Sequence, residues 1–155
     1  MVQDQAGCAS CYAFSALGVF ETLYSITYGK QLNLSEQEVV DCSTDNGHCK
    51  GGNPFLVYNY LNKAGISTEA SYPYTGAASR CRTSKNAPGK LRVNVQYYFV
   101  DDNVVDLLRA LQYGPAVIVH HVNNNFKQYM PGGRLSTASK GICGLPLTTL
   151  LRFFT

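Results

Sequence analysis

Gln5-Ala6-Gly7-Cys8-Ala9-Ser10-Cys11-Tyr12-Ala13-Phe14-Ser15 is the stretch on which the reading of this chain turns. It sets Cys8 and Cys11 directly before a run whose apolar residues recur at 13, 14, 16, 17, 20, 23 and 24. That three-and-four spacing predicts a helix from Cys11 to about Tyr28 with one wide buried face and Ser10 as its cap. A cysteine at such a position sits at the positive end of the helix dipole, where the thiolate is favoured over the less nucleophilic thiol. Taken alone, a C-x-x-C pair also admits bridged structural cysteines, a zinc site or a redox dithiol. A zinc site usually shows a second close pair, whereas Cys42 and Cys49, beside His48, have six residues between them. A thioredoxin-like dithiol should follow a strand in a βαβ setting, and no strand pattern precedes Cys8.

Working outward, Ser35 followed three positions on by Glu38 is a capping-box pattern and opens a short helix through Val39 and Val40, ending near Cys42. Pro54 suits the first turn of a third helix through Phe55, Leu56, Tyr58 and Leu61, with Gly65 as its stop. Beyond it the chain becomes loop-rich through Ser71-Tyr72-Pro73-Tyr74 and Ala87-Pro88-Gly89, and Leu91-Val93-Val95 alternates as a half-buried strand does. Asp102 or Asn103 caps a fourth helix carrying Val104, Val105, Leu107, Leu108 and Leu111, closed by Gly114-Pro115, and Ala116 to Val122 reads as a strand. Helices first and strands later is the order of an α+β fold.

The 155 residues, 45% hydrophobic and 15% charged, suffice for one domain with a real core. A net charge of +3 without a basic cluster argues against nucleic acid or a membrane surface as partner. No apolar run approaches the ~18 residues of a membrane span. The start at Met1-Val2-Gln3-Asp4-Gln5 has no signal-peptide pattern and reads as the inside of a longer protein. Six cysteines in this length point to an oxidising compartment.

The opening stretch resembles the nucleophile segment of papain and cathepsin cysteine peptidases, with Ala9 where glycine is usual and Tyr12 where tryptophan is commoner. The resemblance continues in order through Ser35–Ser43, Cys49-Lys50-Gly51-Gly52, Tyr72-Pro73-Tyr74, Cys81, Gly114-Pro115, Phe126, Tyr129 and Gly132-Gly133. It implies a papain-like α+β architecture with a helical left lobe over about 1–90 and an incomplete β-rich right lobe over about 91–133, followed by a divergent tail, 134–155. It implies Cys11 as nucleophile and the Gln5 amide, with the Cys11 N–H, as oxyanion donors. It implies bridges Cys8–Cys49 and Cys42–Cys81, which leave Cys11 a thiol. Gly51 and Gly52 are implied to lie along the substrate backbone, with Asn53, Pro54 and Val119 near the specificity pocket. The expected partners are a peptide or protein substrate and a propeptide or protein inhibitor, with no metal and no cofactor. The expected location is the secretory pathway, lysosomal, vacuolar or extracellular.

A papain-like mechanism also needs a histidine base and an asparagine that orients it, about 130–150 residues after the cysteine. Gly141 to Thr155 contains neither. His48 adjoins an expected bridge cysteine, and His120 and His121 come too early, in an apolar strand run where alternation turns one to solvent and one to packing. Cys143-Gly144 resembles half of a third family bridge, and Leu145 to Leu151 occupies the place of the histidine strand. The expectation is therefore a family nucleophile in a chain inactive by itself, with a peptide- or inhibitor-binding remnant as the alternative. Leu150, Leu151, Phe153 and Phe154 are expected to be exposed unless a partner covers them. Asn33-Leu34-Ser35 forms a glycosylation sequon usable in a secretory compartment, although the need for Ser35 as a helix cap is sufficient reason for that serine.

Overall fold

The computed structural model describes residues 3–84, 87–101, 103–119 and, for the backbone, 148–152. Helix α1, Cys11–Tyr28, buries Tyr12, Ala13, Ala16, Leu17, Phe20 and Leu23 on one face. Helices α2, Glu36–Cys42, and α3, Pro54–Ala64, pack on either side of that core. The small Ala13 and Ala16 let α3 approach closely enough for the Tyr58 hydroxyl to donate to the Ala16 carbonyl at 3.2 Å. Helix α4, Val104–Leu111, is capped by Asn103, whose side chain accepts from the Asp106 N–H. It buries only Ala110 and leaves Val104, Val105, Leu108 and Leu111 exposed.

Three strands form an antiparallel sheet: β1, Gln96–Val100; β2, Ala116–Val117; and β3, Thr148–Arg152. β3 lies between the other two, with Tyr98 opposite Leu150 on one side and Ala116 opposite Leu150 on the other. Three helices precede the sheet and α4 lies between β1 and β2, an α+β arrangement as expected.

All four helices fall where periodicity and caps put them, but two details differ. Leu91-Val93-Val95 alternates in burial as a strand would, yet only Leu91 is paired, in a single bridge to Ile66; the ladder begins at Gln96, where β3 supplies a partner. Ser10 stands at the N-cap of α1 without capping it: its backbone, at φ −101 and ψ 14, is not the extended one of a capping serine, and its hydroxyl lies against Tyr74. The strand that begins at Ala116 ends at Val117; Ile118 and Val119 are exposed and lie outside it, because β3 pairs only with Ala116 and Val117. His120, His121, Val122, Phe126, Tyr129, Gly132, Gly133 and Cys143, and the side chains of Leu150, Leu151, Phe153 and Phe154, lie outside the described residues.

The unexpected feature is α2, where Glu36, Gln37, Glu38 and Asp41 are all buried. Ser35 caps it by accepting from the Glu38 N–H, but the Glu38 carboxylate does not complete a capping box. It accepts instead from the Tyr60 hydroxyl and the Ser67 N–H, and pairs with Lys90 Nζ at 2.6 Å. Gln37 donates to Asp41 and to the Ala77 carbonyl and accepts from the Thr75 N–H; Asp41 accepts from the Tyr72 hydroxyl and from Ser79. Buried polar groups of this kind are tolerated because they are hydrogen-bonded, and here they tie the 66–91 loop over the helix.

Glu36 is the exception. Its Oε1 is buried without a partner, and so is Oε2 of Glu69. Burial, opposed in part by its own backbone N–H, with the Glu21 and Glu69 carboxylates adding to it, pushes the Glu36 carboxyl up from 4.5 to about 7. Glu21, which accepts from the Leu34 N–H at 2.6 Å, is also raised by burial. A carboxyl raised in the folded state holds a proton that the unfolded chain has released. Its contribution to stability is therefore full below pH 4.5 and is lost as pH rises through about 7. Glu36→Gln is expected to flatten the fall in urea-unfolding free energy over that window and to leave the variant about 1–3 kcal/mol more stable than the parent above it. An unchanged pH slope in the variant would refute the assignment.

Candidate active site

Cys11 is the first residue of α1, with an exposed free thiol, while Cys8 is joined to Cys49 and Cys42 to Cys81. Because Cys8 is committed to Cys49, the two cysteines of the C-x-x-C pair are not available together for zinc or for a redox couple. The loop that delivers the thiol is held from several sides. Cys8 N–H donates to the Gln5 carbonyl, Ala9 N–H to the Cys49 carbonyl at 3.1 Å, and Ser10 N–H to the Cys8 carbonyl. Tyr74 closes the arrangement: its hydroxyl donates to the Gln5 carbonyl at 2.8 Å and lies 2.6 Å from Ser10 Oγ. With its one proton committed to Gln5, the phenol accepts from the serine. The Tyr74 ring stands edge-on to Phe14, one turn into α1. Gln5 and Cys11 are thus the two ends of one pinned loop, and the first N–H groups of α1 have no acceptor within the helix.

The second wall follows the short 3₁₀ turn His48–Lys50. Gly47 N–H donates to the Gly51 carbonyl at 2.9 Å, and Asn46 Oδ1 accepts from the Asn53 N–H at 2.7 Å. Gly51 has φ 103, and a Cβ on Gly52 would collide with Asn46 and with the Tyr12 ring. Gly51 is therefore required by its own backbone, and Gly52 by the side chains packed against it, one of them that of the residue after Cys11. Asn53 caps α3 by accepting from the Phe55 N–H, and Pro54 is buried in its first turn. Val119 is exposed two residues beyond β2, a strand that packs near α1. The structure holds Gln5 and Cys11 at the two ends of one loop and sets Gly52 against Tyr12, while Asn53 caps α3 and Pro54 fills its first turn.

Tyr12 links the two walls, donating from its hydroxyl to the His48 carbonyl at 2.9 Å. Burial first, then Tyr74, Cys11 and Asp41 nearby, push that phenol up to about 12, so it remains a donor at any working pH. His48 turns its Nδ1 to the Val40 carbonyl at 2.7 Å; a carbonyl only accepts, so this nitrogen carries the proton and the ring serves to anchor the turn on α2.

Sequence reasoning assigned no roles to Tyr74 or Asn46, and it singled out Ala9, which stands where glycine is usual, rather than Ala6. Ala9 is not among the positive-φ residues; Ala6 is, with φ 53, directly after Gln5. The Ala6 methyl lies beside Gly76, which has no side chain to compete with it. The signal was present, since Ala6 follows the oxyanion candidate, but only backbone geometry distinguishes it from Ala9.

Comparison with known proteins agrees across the chain. The sequence pattern of the papain family of cysteine proteases matches residues 1–142. Pro-cathepsin H of Mus musculus is 35% identical over 134 residues, which cover 84% of this chain and 40% of that protein. Zingipain-1 of Zingiber officinale is 46% identical over 87 residues, 56% of this chain and 39% of that protein. A crystal structure of a Carica candamarcensis cysteine protease in complex with E-64 superposes with a TM-score of 0.73 at 30% identity, covering 88% of this chain and 66% of the other. The chain thus spans about 40% of the length of such curated relatives.

The two alanines separate cleanly by experiment. Ala6→Gly is expected to raise unfolding stability by about 1 kcal/mol, because glycine adopts a left-handed φ without cost. Ala9→Gly is expected to lower it by a similar amount, because there glycine only adds freedom to the unfolded chain. Urea-unfolding midpoints check both; a stabilising Ala9→Gly with a neutral Ala6→Gly would reverse the assignment.

Proposed function

The chain belongs to the papain family of cysteine proteases, and we propose that within it Cys11 is the peptidase nucleophile. One observation carries this: of the five described cysteines, four are bridged, and the free one is exposed at the first residue of α1. In the reaction, the Cys11 sulfur attacks a substrate carbonyl carbon, and the carbonyl oxygen becomes an oxyanion that takes hydrogen bonds from the Gln5 amide and the Cys11 N–H. Gly51 and Gly52 offer a side-chain-free edge to the substrate backbone, and Asn53, Pro54 and Val119 border the pocket for its side chain. The substrate is a peptide or protein, and a propeptide or protein inhibitor is the natural second ligand of the same groove. The two bridges support a secretory location, vacuolar, lysosomal or extracellular. Among the described residues no helix is long and apolar enough to cross a membrane.

Completing hydrolysis requires a base for the thiol proton and an acid for the leaving amine. His48 is engaged with Val40, His120 and His121 come earlier than the family spacing requires and lie outside the described residues, and no histidine occurs from Val122 to Thr155. These 155 residues therefore supply the nucleophile, the oxyanion donors and one groove wall, and as a separate molecule they bind and react once rather than turn over. The engagement of His48 also favours the second reading, a peptide- or inhibitor-binding module.

A peptidyl epoxide probe at neutral pH separates these readings. Labelling at Cys11 faster than of free cysteine, abolished by Cys11→Ala, is the expected result, together with hydrolysis of a fluorogenic peptide no faster than by the Cys11→Ala variant. Labelling no faster than free cysteine would leave the binding module; Cys11-dependent turnover would show that a base is present after all.

A further inference from the structure

We propose that Asn33 is a site of N-linked glycosylation and that the glycan is added before this part of the chain folds. Asn33-Leu34-Ser35 is the sole sequon in the 155 residues. In the folded protein its three residues divide sharply. Asn33 is exposed and its side chain makes no hydrogen bond among the described residues, whereas Leu34 and Ser35 are wholly buried. The backbone is fixed throughout: the Asn33 carbonyl accepts from the Glu69 N–H at 2.9 Å, Leu34 bridges to Thr68, and Ser35 N–H donates to the Ser67 carbonyl at 3.0 Å. Ser35 Oγ accepts from the Glu38 N–H at 2.9 Å and donates to the Tyr72 carbonyl.

The serine hydroxyl thus serves twice, at different times. A transferase must read the asparagine and the hydroxyl together, and the folded chain hides the hydroxyl beneath Tyr72. Transfer therefore precedes closure of the 66–81 loop over α2, a closure made covalent by Cys42–Cys81. In the reaction Asn33 Nδ2 bonds to C1 of an oligosaccharide carried on a pyrophosphoryl lipid. The C1–O bond to pyrophosphate breaks, the amide nitrogen gives up one proton, and the lipid pyrophosphate leaves; no electrons are exchanged with an oxidant. Folding then buries Leu34 and Ser35 and leaves the sugar in solvent.

The attachment point does not obstruct the groove. Leu34 N–H is bonded to Glu21, ten residues along α1 from Cys11, and at the helical rise this is about 15 Å down the axis from the thiol. The inference rests on the secretory reading above, so the test supplies entry to that compartment independently. The full chain is produced in yeast behind a cleavable secretion leader, with an artificial Asn-Gly-Thr sequon appended at its C-terminus to report arrival. Two glycosidase-sensitive mass steps are expected, one of them lost in Asn33→Gln. That step should be kept or enhanced in Ser35→Thr, which preserves both hydroxyl roles. It should also be enhanced when a mild reductant delays the Cys42–Cys81 bridge. A glycosylated reporter with Asn33 unmodified in both the parent and Ser35→Thr would overturn the proposal, and would leave the native compartment as a separate question.

Discussion

The Cys8–Cys49 bridge is the constraint from which the surroundings of Cys11 follow, because it joins the loop before α1 to the turn before α3 across 41 residues. Closing a loop of that length removes about 4 kcal/mol of conformational freedom from the unfolded chain on an entropic view. Its local effect matters as much. With Cys49 fixed beside Cys8, the Ala9 N–H reaches the Cys49 carbonyl and Tyr12 reaches the His48 carbonyl. Gly52 is then pressed against Tyr12 and Asn46, in the first turn of α1 and the turn before α3. The bridge also takes Cys8 out of competition for the neighbouring thiol, which is how a C-x-x-C sequence retains a free cysteine.

A second layer of order comes from the polar face of α2. Glu38 with Lys90, Gln37 with Thr75, and Asp41 with Tyr72 and Ser79 hold a loop that has little regular structure of its own. That loop delivers Tyr74 to Gln5 and Ser10. The chain of support thus runs from buried carboxylates, through a loop, to the Gln5 backbone. Groups far from the thiol contribute to its surroundings by fixing the position of this loop.

Much of this was legible in the sequence, for identifiable reasons. α1 and α3 carry apolar residues at helical spacing, α3 with Pro54 in its first turn and Gly65 at its end, and α4 has an asparagine cap, so local rules located them. The burial of α2 was not legible, because hydropathy assigns Glu36, Gln37, Glu38 and Asp41 to the surface and only long-range partners reverse that. The first strand was misplaced by a few residues because alternation at Leu91-Val93-Val95 records burial, whereas a ladder needs a partner, and the partner, Thr148–Arg152, is some fifty residues away in sequence. Cys11, Gln5, Gly51 and Gly52 were named from motif resemblance. Tyr74, Asn46 and the strained Ala6 required coordinates, since nothing in a residue's identity reveals which backbone it hydrogen-bonds or which φ it adopts.

The claim beneath all of this is that the fold bridges four cysteines so as to leave Cys11 a free thiol at the start of a helix. Its most direct test is a non-reducing digest of the oxidised chain after alkylation, read by mass spectrometry. The account predicts Cys8 linked to Cys49, Cys42 linked to Cys81, and the alkyl group on Cys11. A peptide in which Cys11 is bridged to Cys8, or to any other cysteine of the chain, would contradict it.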